Sequence, residues 1–265
     1  MRQPLPIARV RIPKAADLLA DQLRAQILSG EWAVGAQLPP ERELAGLAGL
    51  SRASVREALR ILEMQGLIAT RTGRGGGSVV CRPTRERLEQ SVTLFIRGHR
   101  VRSAALLEAR EALERVAAGL AAIHRTAEDL VQLDALQKSL AAVRGDNDRF
   151  LRLNFDWHLA VVHASHNEML VGFVNAISRE LFRFTLMDVF GSDDVQAATV
   201  RSHVGIMAAL RAQDAAAAER RMGRHMRAYV QAAQGVAPSP VLEKRLLDRE
   251  VSEAAAETSA QGDRI

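Results

Sequence analysis

The segment Ser51–Gly66 (SRASVREALRILEMQG) constrains the fold of this chain more than any other stretch. Three apolar residues recur at helical spacing and predict a buried stripe: Val55, Leu59 and Leu62. Three arginines follow one another at four-residue intervals on a separate face: Arg52, Arg56 and Arg60. Ser51 is suited to cap this helix and Gly66 to end it. The arginine face predicts an anionic partner, for which the DNA major groove is one candidate; a merely solvated basic face is the ordinary alternative.

Two further helical segments precede this one. Leucines and isoleucine at helical spacing predict a helix over Ala15–Ser29, which Gly30 ends. Two prolines then restrict the chain before a short helix over Glu41–Ala48. Two short helices joined by a tight turn form a helix-turn-helix, whose second helix reads the DNA groove.

A predicted β-hairpin follows the helix-turn-helix. The short β-prone runs LIATR and SVVCR are separated by Thr72–Gly77, which is rich in glycine. This tip is a weak candidate for a phosphate loop because it lacks the GK[ST] ending and leads into a strand. We therefore predict a wing, whose Arg71 and Arg74 suit contact with the DNA backbone or minor groove.

The distribution of charge supports a small polyanion-binding module. Residues 1–83 contain 12 Lys/Arg against 7 Asp/Glu, so they account for the whole net charge of +5. Cys81 is the single cysteine, which excludes an intrachain disulfide. No apolar run approaches the length of a membrane span, and the first thirty residues do not resemble a signal peptide. We expect a cytoplasmic protein without a membrane partner.

The remainder of the chain is predicted to be almost entirely helical. Seven segments have helical character: Leu88–Arg97, Ala104–His124, Ala127–Arg144, Asp146–Ser165, Glu168–Val189, Asp194–Ala212 and Ala215–Gln234. The predicted fold is mostly α, with an N-terminal winged helix-turn-helix and a C-terminal antiparallel bundle of six or seven helices. The predicted organisation is a flexible arm, a DNA-binding domain, a linker, a helical domain and a mostly mobile tail: residues 1–14, 15–81, 82–87, 88–235 and 236–265.

From about Leu23 to Val80 the chain resembles the winged helix-turn-helix of the GntR superfamily of bacterial transcription regulators. The segments LPPERELA and SRASVREAL correspond, in order, to the LPxERxLA and SRxxVRxAL motifs of that superfamily. The resemblance implies DNA contacts by three arginines: Arg42, Arg52 and Arg56. It implies supporting contacts by four smaller residues: Ser51, Ser54, Thr72 and Gly73. The chemistry agrees for the arginines, because a guanidinium can bind guanine O6 and N7 with two hydrogen bonds.

The helical region resembles the FadR-type effector domain of GntR regulators, through segments such as NFDWHLAVVHASHNEML and RSHVGIMAALRAQD. Many members of that subfamily hold a divalent metal with an Asp-x-x-x-His pair and two later histidines. The corresponding residues here are Asn154, His158, His203 and His225. Without the resemblance, isolated histidines on helices are more often ordinary core or surface residues. Imidazole ligands favour Zn²⁺ or Ni²⁺.

Asn154 departs from the subfamily pattern, because the usual residue at that position is aspartate. An amide oxygen can coordinate a metal but brings no negative charge, so we expect a weaker site or one that an anionic effector completes. Asp156 is no substitute, since it is two residues from His158 and faces another side of the helix. By the same resemblance Arg110 binds an effector carboxylate; the equally weighted alternative is an ordinary intrahelical ion pair with Glu114.

These features predict a transcription regulator rather than an enzyme. The expected protein is a homodimeric repressor that binds a palindromic operator in double-stranded DNA and responds to a small carboxylate at the metal site. One alternative is a purely structural metal with no effector. Another is a metal-dependent hydrolase, which is disfavoured because no general base is in register with the ligands and the winged module would be unexplained.

Overall fold

The structure is a computed structural model, and it describes residues 13–71, 73, 76–184 and 192–235. The chain divides into two compact units, residues 1–87 and 88–265. Most of the predicted flexible arm and the whole of the predicted tail lie outside the described residues, as does Thr72.

The first unit contains three helices and a two-stranded sheet: α1 (Ala15–Ser29), α2 (Glu41–Ala48), α3 (Arg52–Met64), β1 (Ile68–Arg71) and β2 (Gly77–Val80). The strands pair antiparallel, with Ile68 opposite Val80 and Arg71 opposite Gly77. Gly76 lies at the tip, where a Cβ atom would stand 2.2 Å from the carbonyl oxygen of Arg71, so only glycine fits there. The hairpin is thus the wing that the sequence predicts.

Helix α3 is defined at both ends by local hydrogen bonds. The backbone N–H of Ser54 donates to Oγ of Ser51 at 3.1 Å, which is a side-chain N-cap. At the other end Gly66 adopts a positive φ of 74°, and the N–H of Leu67 donates to the carbonyl of Leu62 at 3.0 Å. This is a Schellman ending, so the capping residues predicted from the sequence have these roles.

A single apolar core holds the first unit together. Its members come from all three helices and both strands, and the largest buried ones are Leu19, Leu23, Ile27, Leu38, Leu44, Leu59, Leu62 and Ile68. Because Val55, Leu59 and Leu62 face this core, the arginines of α3 lie on its solvent side.

The second unit is a helical bundle without strands among its described residues. Its helices are α4 (Arg85–Gly98), α5 (Ser103–His124), α6 (Ala127–Ala141), α7 (Asn147–His163), α8 (Glu168–Phe184), α9 (Asp193–Arg211) and α10 (Ala215–Gly235). The mostly helical fold and the seven-helix count are therefore as predicted for this part of the chain. Helix α6 ends three residues before the predicted Arg144, and the predicted end of α8 at Val189 lies outside the described residues.

Helix α4 overlaps the end of the predicted linker, residues 82–87. Helix α4 already begins at Arg85, so only three residues of that segment are non-helical. Pro83 marks the change, and Glu86 places a negative charge in the first turn, where the helix dipole favours it. The charged and polar residues of this segment suggested a linker, because the exposed first turn of a helix and a linker have the same composition.

The core of the bundle lies between α5, α7, α9 and α10. Fully buried side chains from these helices include Trp157, Phe150, Ile206, Leu210 and Met222. Small residues on α5 allow close approach of α10; at Gly119 a Cβ would meet the Glu219 side chain at 2.6 Å. Among the described residues, no helix is both long enough and apolar enough to cross a lipid bilayer.

Candidate functional site

The residues predicted to contact DNA lie on an exposed side of the first unit. Arg42 extends from α2, whereas Arg52 and Arg56 extend from α3, and all three side chains are exposed. Gly73, in the wing tip, is also exposed. The structure therefore leaves these predicted contact residues accessible to a partner.

Arg56 is held by an acidic residue of the neighbouring helix. Its Nη2 atom lies 3.2 Å from Oε2 of Glu41, and its Nε donates to the same oxygen at 3.4 Å. The pair uses one edge of the guanidinium, so the remaining N–H groups can still donate to a partner. The pair is exposed, and its chief consequence is therefore orientation rather than stability.

Ser51 is expected to contribute to stability independently of any DNA contact. Replacing Ser51 with Ala should lower the free energy of unfolding by about 1 kcal/mol, because the N–H of Ser54 loses its cap. Ser51→Asp, which can also cap, should retain most of that stability. Urea denaturation followed by circular dichroism measures the change. Ser54→Ala is the matched control; an equal loss in that variant would contradict the capping role.

Four helices of the second unit contribute to one site, and three of them carry the predicted metal ligands. His158 lies on α7, His203 on α9 and His225 on α10, and α5 supplies Arg110 and Glu114. Each histidine is on the inward face of its helix, together with apolar neighbours three or four residues away, such as Val161, Ile206 and Met222. Amphipathic packing thus directs all three rings into the core.

The three imidazole rings converge through their Nε2 atoms. His225 Nε2 lies 3.1 Å from His158 Nε2 and 3.2 Å from His203 Nε2. The possible ligand atoms of the three rings all lie within 4.8 Å of one another. Two nitrogens bound to one zinc ion at about 2.0–2.1 Å are roughly 3.3 Å apart in tetrahedral geometry, and the observed spacings are close to that value.

Sequence reasoning named Glu114 only as a partner of Arg110 and missed its contact with His158. Its carboxylate is fully buried; one oxygen accepts from Nε of Arg110 and the other from Nδ1 of His158. The sequence contained a signal for it, because Arg110 and Glu114 interrupt the otherwise apolar buried face of α5. A carboxylate bound to the outer nitrogen of a histidine is typical of metal sites, since it orients the ring.

This hydrogen bond determines which atom of His158 can bind a cation. Because the Glu114 carboxylate can only accept, Nδ1 of His158 carries the shared hydrogen, and Nε2 is the ring atom that can bind a cation. His225 Nε2 has contacts to two other Nε2 atoms, and a single hydrogen can satisfy only one of them. A cation between the three rings would instead accept all three lone pairs. The arrangement therefore fits a metal ion better than a hydrogen-bond network.

His203 is held by stacking rather than by a carboxylate. Its ring lies 3.6 Å from the Trp157 ring, centroid to centroid, with the two planes 5° apart. The Nδ1 atom of His203 is buried and has no hydrogen-bond partner among the described residues. Trp157 thus restricts this ring in the way that Glu114 restricts His158, although the sequence shows only an aromatic residue beside a histidine.

Asn154 lies at the same place, one turn before His158. Its Oδ1 is buried and accepts no hydrogen bond from the described residues, which is costly for an amide oxygen unless something else binds it. Asn154, His158 and His225 line one cavity of about 10 Å³, the volume needed for about one water molecule. Asp156, which the sequence predicts to face another side of the helix, is exposed and does not line this cavity.

Arg110 forms the ion pair with Glu114 that was one of the two roles left open by the sequence. It pairs with Glu114, but the pair is buried rather than an ordinary surface bridge, because only 4% of the Arg110 side chain is exposed. Arg110 also lines the cavity beside Asn154 and lies over the Tyr229 ring at 5.9 Å.

The buried position of these groups sets their protonation. Burial, followed by the neighbouring His158 ring, lowers the pKa of His225 to about 3, and burial lowers the pKa of His203 well below its usual range. Burial alone would raise the pKa of Glu114, but the Arg110 guanidinium and the His158 ring outweigh it and lower that pKa to about 2. At neutral pH, His203 and His225 are therefore neutral, which is the form that binds metals.

Two families match the chain, one for each unit. Residues 15–77 match the family described as bacterial regulatory proteins, gntR family. Residues 105–228 match the family described as FCD domain.

Individual proteins show the same similarity. The Uxu operon transcriptional regulator of Escherichia coli (strain K12) is 32% identical over 220 residues, which cover 77% of this chain and 80% of the relative. The Glc operon transcriptional activator of the same strain is 32% identical over 179 residues, covering 65% of this chain and 69% of the activator. Among solved structures, Streptococcus agalactiae GntR is 26% identical with a TM-score of 0.60, and the match covers 82% of this chain and 100% of that one.

Proposed function

The chain belongs to the GntR family and joins a GntR DNA-binding domain to an FCD domain, and from this we propose that it is an operon repressor controlled by a small organic acid at a metal site. Its family and relatives are transcriptional regulators, not enzymes, so the hydrolase alternative is set aside. The convergence of three histidine Nε2 atoms carries the proposal for the metal.

The proposed DNA contact uses the exposed arginines of α2 and α3. Arg52 and Arg56 enter the major groove from α3, Arg42 supports them from α2, and the wing contacts the backbone. One recognition helix contacts too few base pairs for operator specificity, so we propose a homodimer on a palindromic site. We propose that it acts on chromosomal DNA in the cytoplasm. Whether the protein represses its operon is tested by measuring the expression of an operon reporter in a strain that lacks the protein.

The proposed ligands are His158, His203, His225 and the amide oxygen of Asn154. A divalent ion such as Zn²⁺ or Ni²⁺ bound there would supply a Lewis acid for a carboxylate oxygen. All four ligand side chains are uncharged, and the charges of Glu114 and Arg110 cancel each other. The loaded site therefore keeps a net positive charge, which favours an anionic ligand.

The small size of the cavity supports a link between acid binding and conformation. A volume of about 10 Å³ accepts an ion or a water but not an organic acid. The apolar lining includes Leu151, Phe155 and Met226, and the unbranched Met226 side chain can change rotamer more readily than its neighbours. We propose that an acid displaces these side chains, changes the packing of α7 against α10, and thereby shifts the affinity for DNA.

The test uses the full chain and an operator selected from a randomised duplex library. Fluorescence anisotropy should show that glycolate, lactate or citrate weakens operator binding of the zinc-loaded protein. His203→Ala and His225→Ala should abolish this response while leaving DNA affinity without acid close to that of the wild type. The proposal would be contradicted if no acid changed the operator affinity and both variants behaved like the wild type.

The structural-metal alternative has a separate signature. A chelator would then lower the melting temperature, but no acid would raise it in the metal-loaded protein.

A further inference from the structure

A second cavity, which adjoins the histidine cluster, has three arginines in its lining. It lies between α9 and α10 and has a volume of about 340 Å³, within the usual range of small-molecule sites. Arg201 contributes from α9, and Arg221 and Arg224 from α10. We call it the arginine cleft. Unlike the cavity beside Asn154, it is large enough for an organic anion without rearrangement.

The charges of the arginine cleft are not compensated by carboxylates. No acidic side chain lines the cleft, and among the described residues none of its three arginines has a carboxylate within 4.0 Å. Other arginines of this unit have acidic partners: Arg97 with Glu180, Arg211 with Asp134, and Arg227 with Glu111. Three guanidiniums in one cleft repel one another unless an anion lies between them.

Arg221 differs from the other two in having a structural role. Its Nη1 donates to the backbone carbonyl of Gly205, which fixes the side chain across the cleft from α10 to α9. Arg201 and Arg224 are exposed and make no such bond among the described residues. The cleft therefore combines one fixed guanidinium with two that are free to close on a ligand.

His225 connects the arginine cleft to the candidate metal site. Its ring lines the cleft and also lines the small cavity with Asn154 and His158. His225 is only partly buried, whereas His158 and His203 are fully buried. A ligand in the cleft would therefore touch the one histidine that both cavities share.

We propose that the arginine cleft is a second anion-binding site, specific for a small, multiply charged oxyanion such as a phosphate or a polycarboxylate. Three guanidiniums favour a multivalent anion because a single negative charge would leave most of their repulsion in place. The site is distinct from the metal site and does not require a metal ion.

Isothermal titration of the metal-free full chain, at constant ionic strength, tests this site. Inorganic phosphate and citrate are the probes, and acetate is the monovalent control. We expect citrate or phosphate to bind at least tenfold more tightly than acetate. Arg201→Gln and Arg224→Gln should each weaken that binding by about tenfold. The stronger of the two probes distinguishes a phosphate site from a polycarboxylate site.

Arg220→Gln is the matched control, because it removes the same charge from α10 at an exposed position outside the cleft. It should bind the probes within about twofold of the wild type, given that surface charges contribute little. The proposal is overturned if neither probe binds the wild type, if acetate binds as tightly, or if the Arg201 and Arg224 variants match the control. No DNA or metal is present, so such a failure leaves the proposed regulatory function untouched.

Discussion

Glu114→Ala is expected to lower the free energy of unfolding of the metal-free second unit by about 3–5 kcal/mol. The carboxylate neutralises the buried Arg110 guanidinium and accepts the Nδ1 proton of His158. Its removal leaves one buried charge and one buried donor unpaired, which is costlier than losing an exposed ion pair. Urea denaturation followed by Trp157 fluorescence in a Trp32→Phe background measures the change, since these are the two tryptophans of the chain.

A double variant distinguishes the destabilisation caused by the unpaired buried charge from the destabilisation caused by lost packing. Arg110→Met with Glu114→Leu removes both buried charges and fills a similar volume, so most of the stability should return. The remaining deficit, about 1–3 kcal/mol, belongs to the unpaired Nδ1 of His158. A double variant as unstable as Glu114→Ala alone would show that the buried charge of Arg110 is not the cause.

Arg56→Ala is expected to remove about 1–3 kcal/mol of discrimination between the operator and a scrambled duplex. The physical reason is that the variant would lose the two hydrogen bonds that we propose Arg56 makes to a base edge, while Glu41 holds the guanidinium through Nε and Nη2. Anisotropy titrations with both duplexes over a range of salt concentrations measure the specific and non-specific affinities separately.

Arg60→Ala is the control variant for this experiment. Arg60 lies on the same helix and is exposed, and its one ion pair with the described residues is a 4.0 Å contact to Glu57. The Arg60→Ala variant should bind both duplexes more weakly by a similar factor. The salt dependence of its affinity should fall by the amount expected for about one phosphate contact. Equal losses on both duplexes for Arg56→Ala, or loss of sequence preference for Arg60→Ala, would contradict the assigned roles.

The DNA-binding unit was largely predictable because its information is local. The cap at Ser51, the ending at Gly66 and the apolar stripe of α3 all act within one or two turns of the chain. The glycine-rich wing tip likewise follows from backbone sterics over a few residues. The linker was less predictable, since the polar first turn of α4 has the composition of a loop.

The candidate metal ligands were predicted in a different way. Helical periodicity placed His158 on an inward face, but only the family resemblance connected it to His203 and His225. Glu114 and Trp157 stayed unrecognised as partners of these rings, because one contact spans 44 residues of sequence and the other joins α7 to α9. No pattern within a short segment of sequence indicates a contact between residues so far apart in the chain.

The sequence alone therefore determined the order of the helices, the wing, the arginine face of α3 and the identities of the possible ligands. Each of these depends on spacing within a segment or on correspondence to a known motif. Tertiary structure alone decided that three Nε2 atoms converge, that Glu114 orients His158, and that Arg201 and Arg224 share a cleft. The reason is physical: helix packing sets which side chains meet, and it depends on the shapes of all the helices at once.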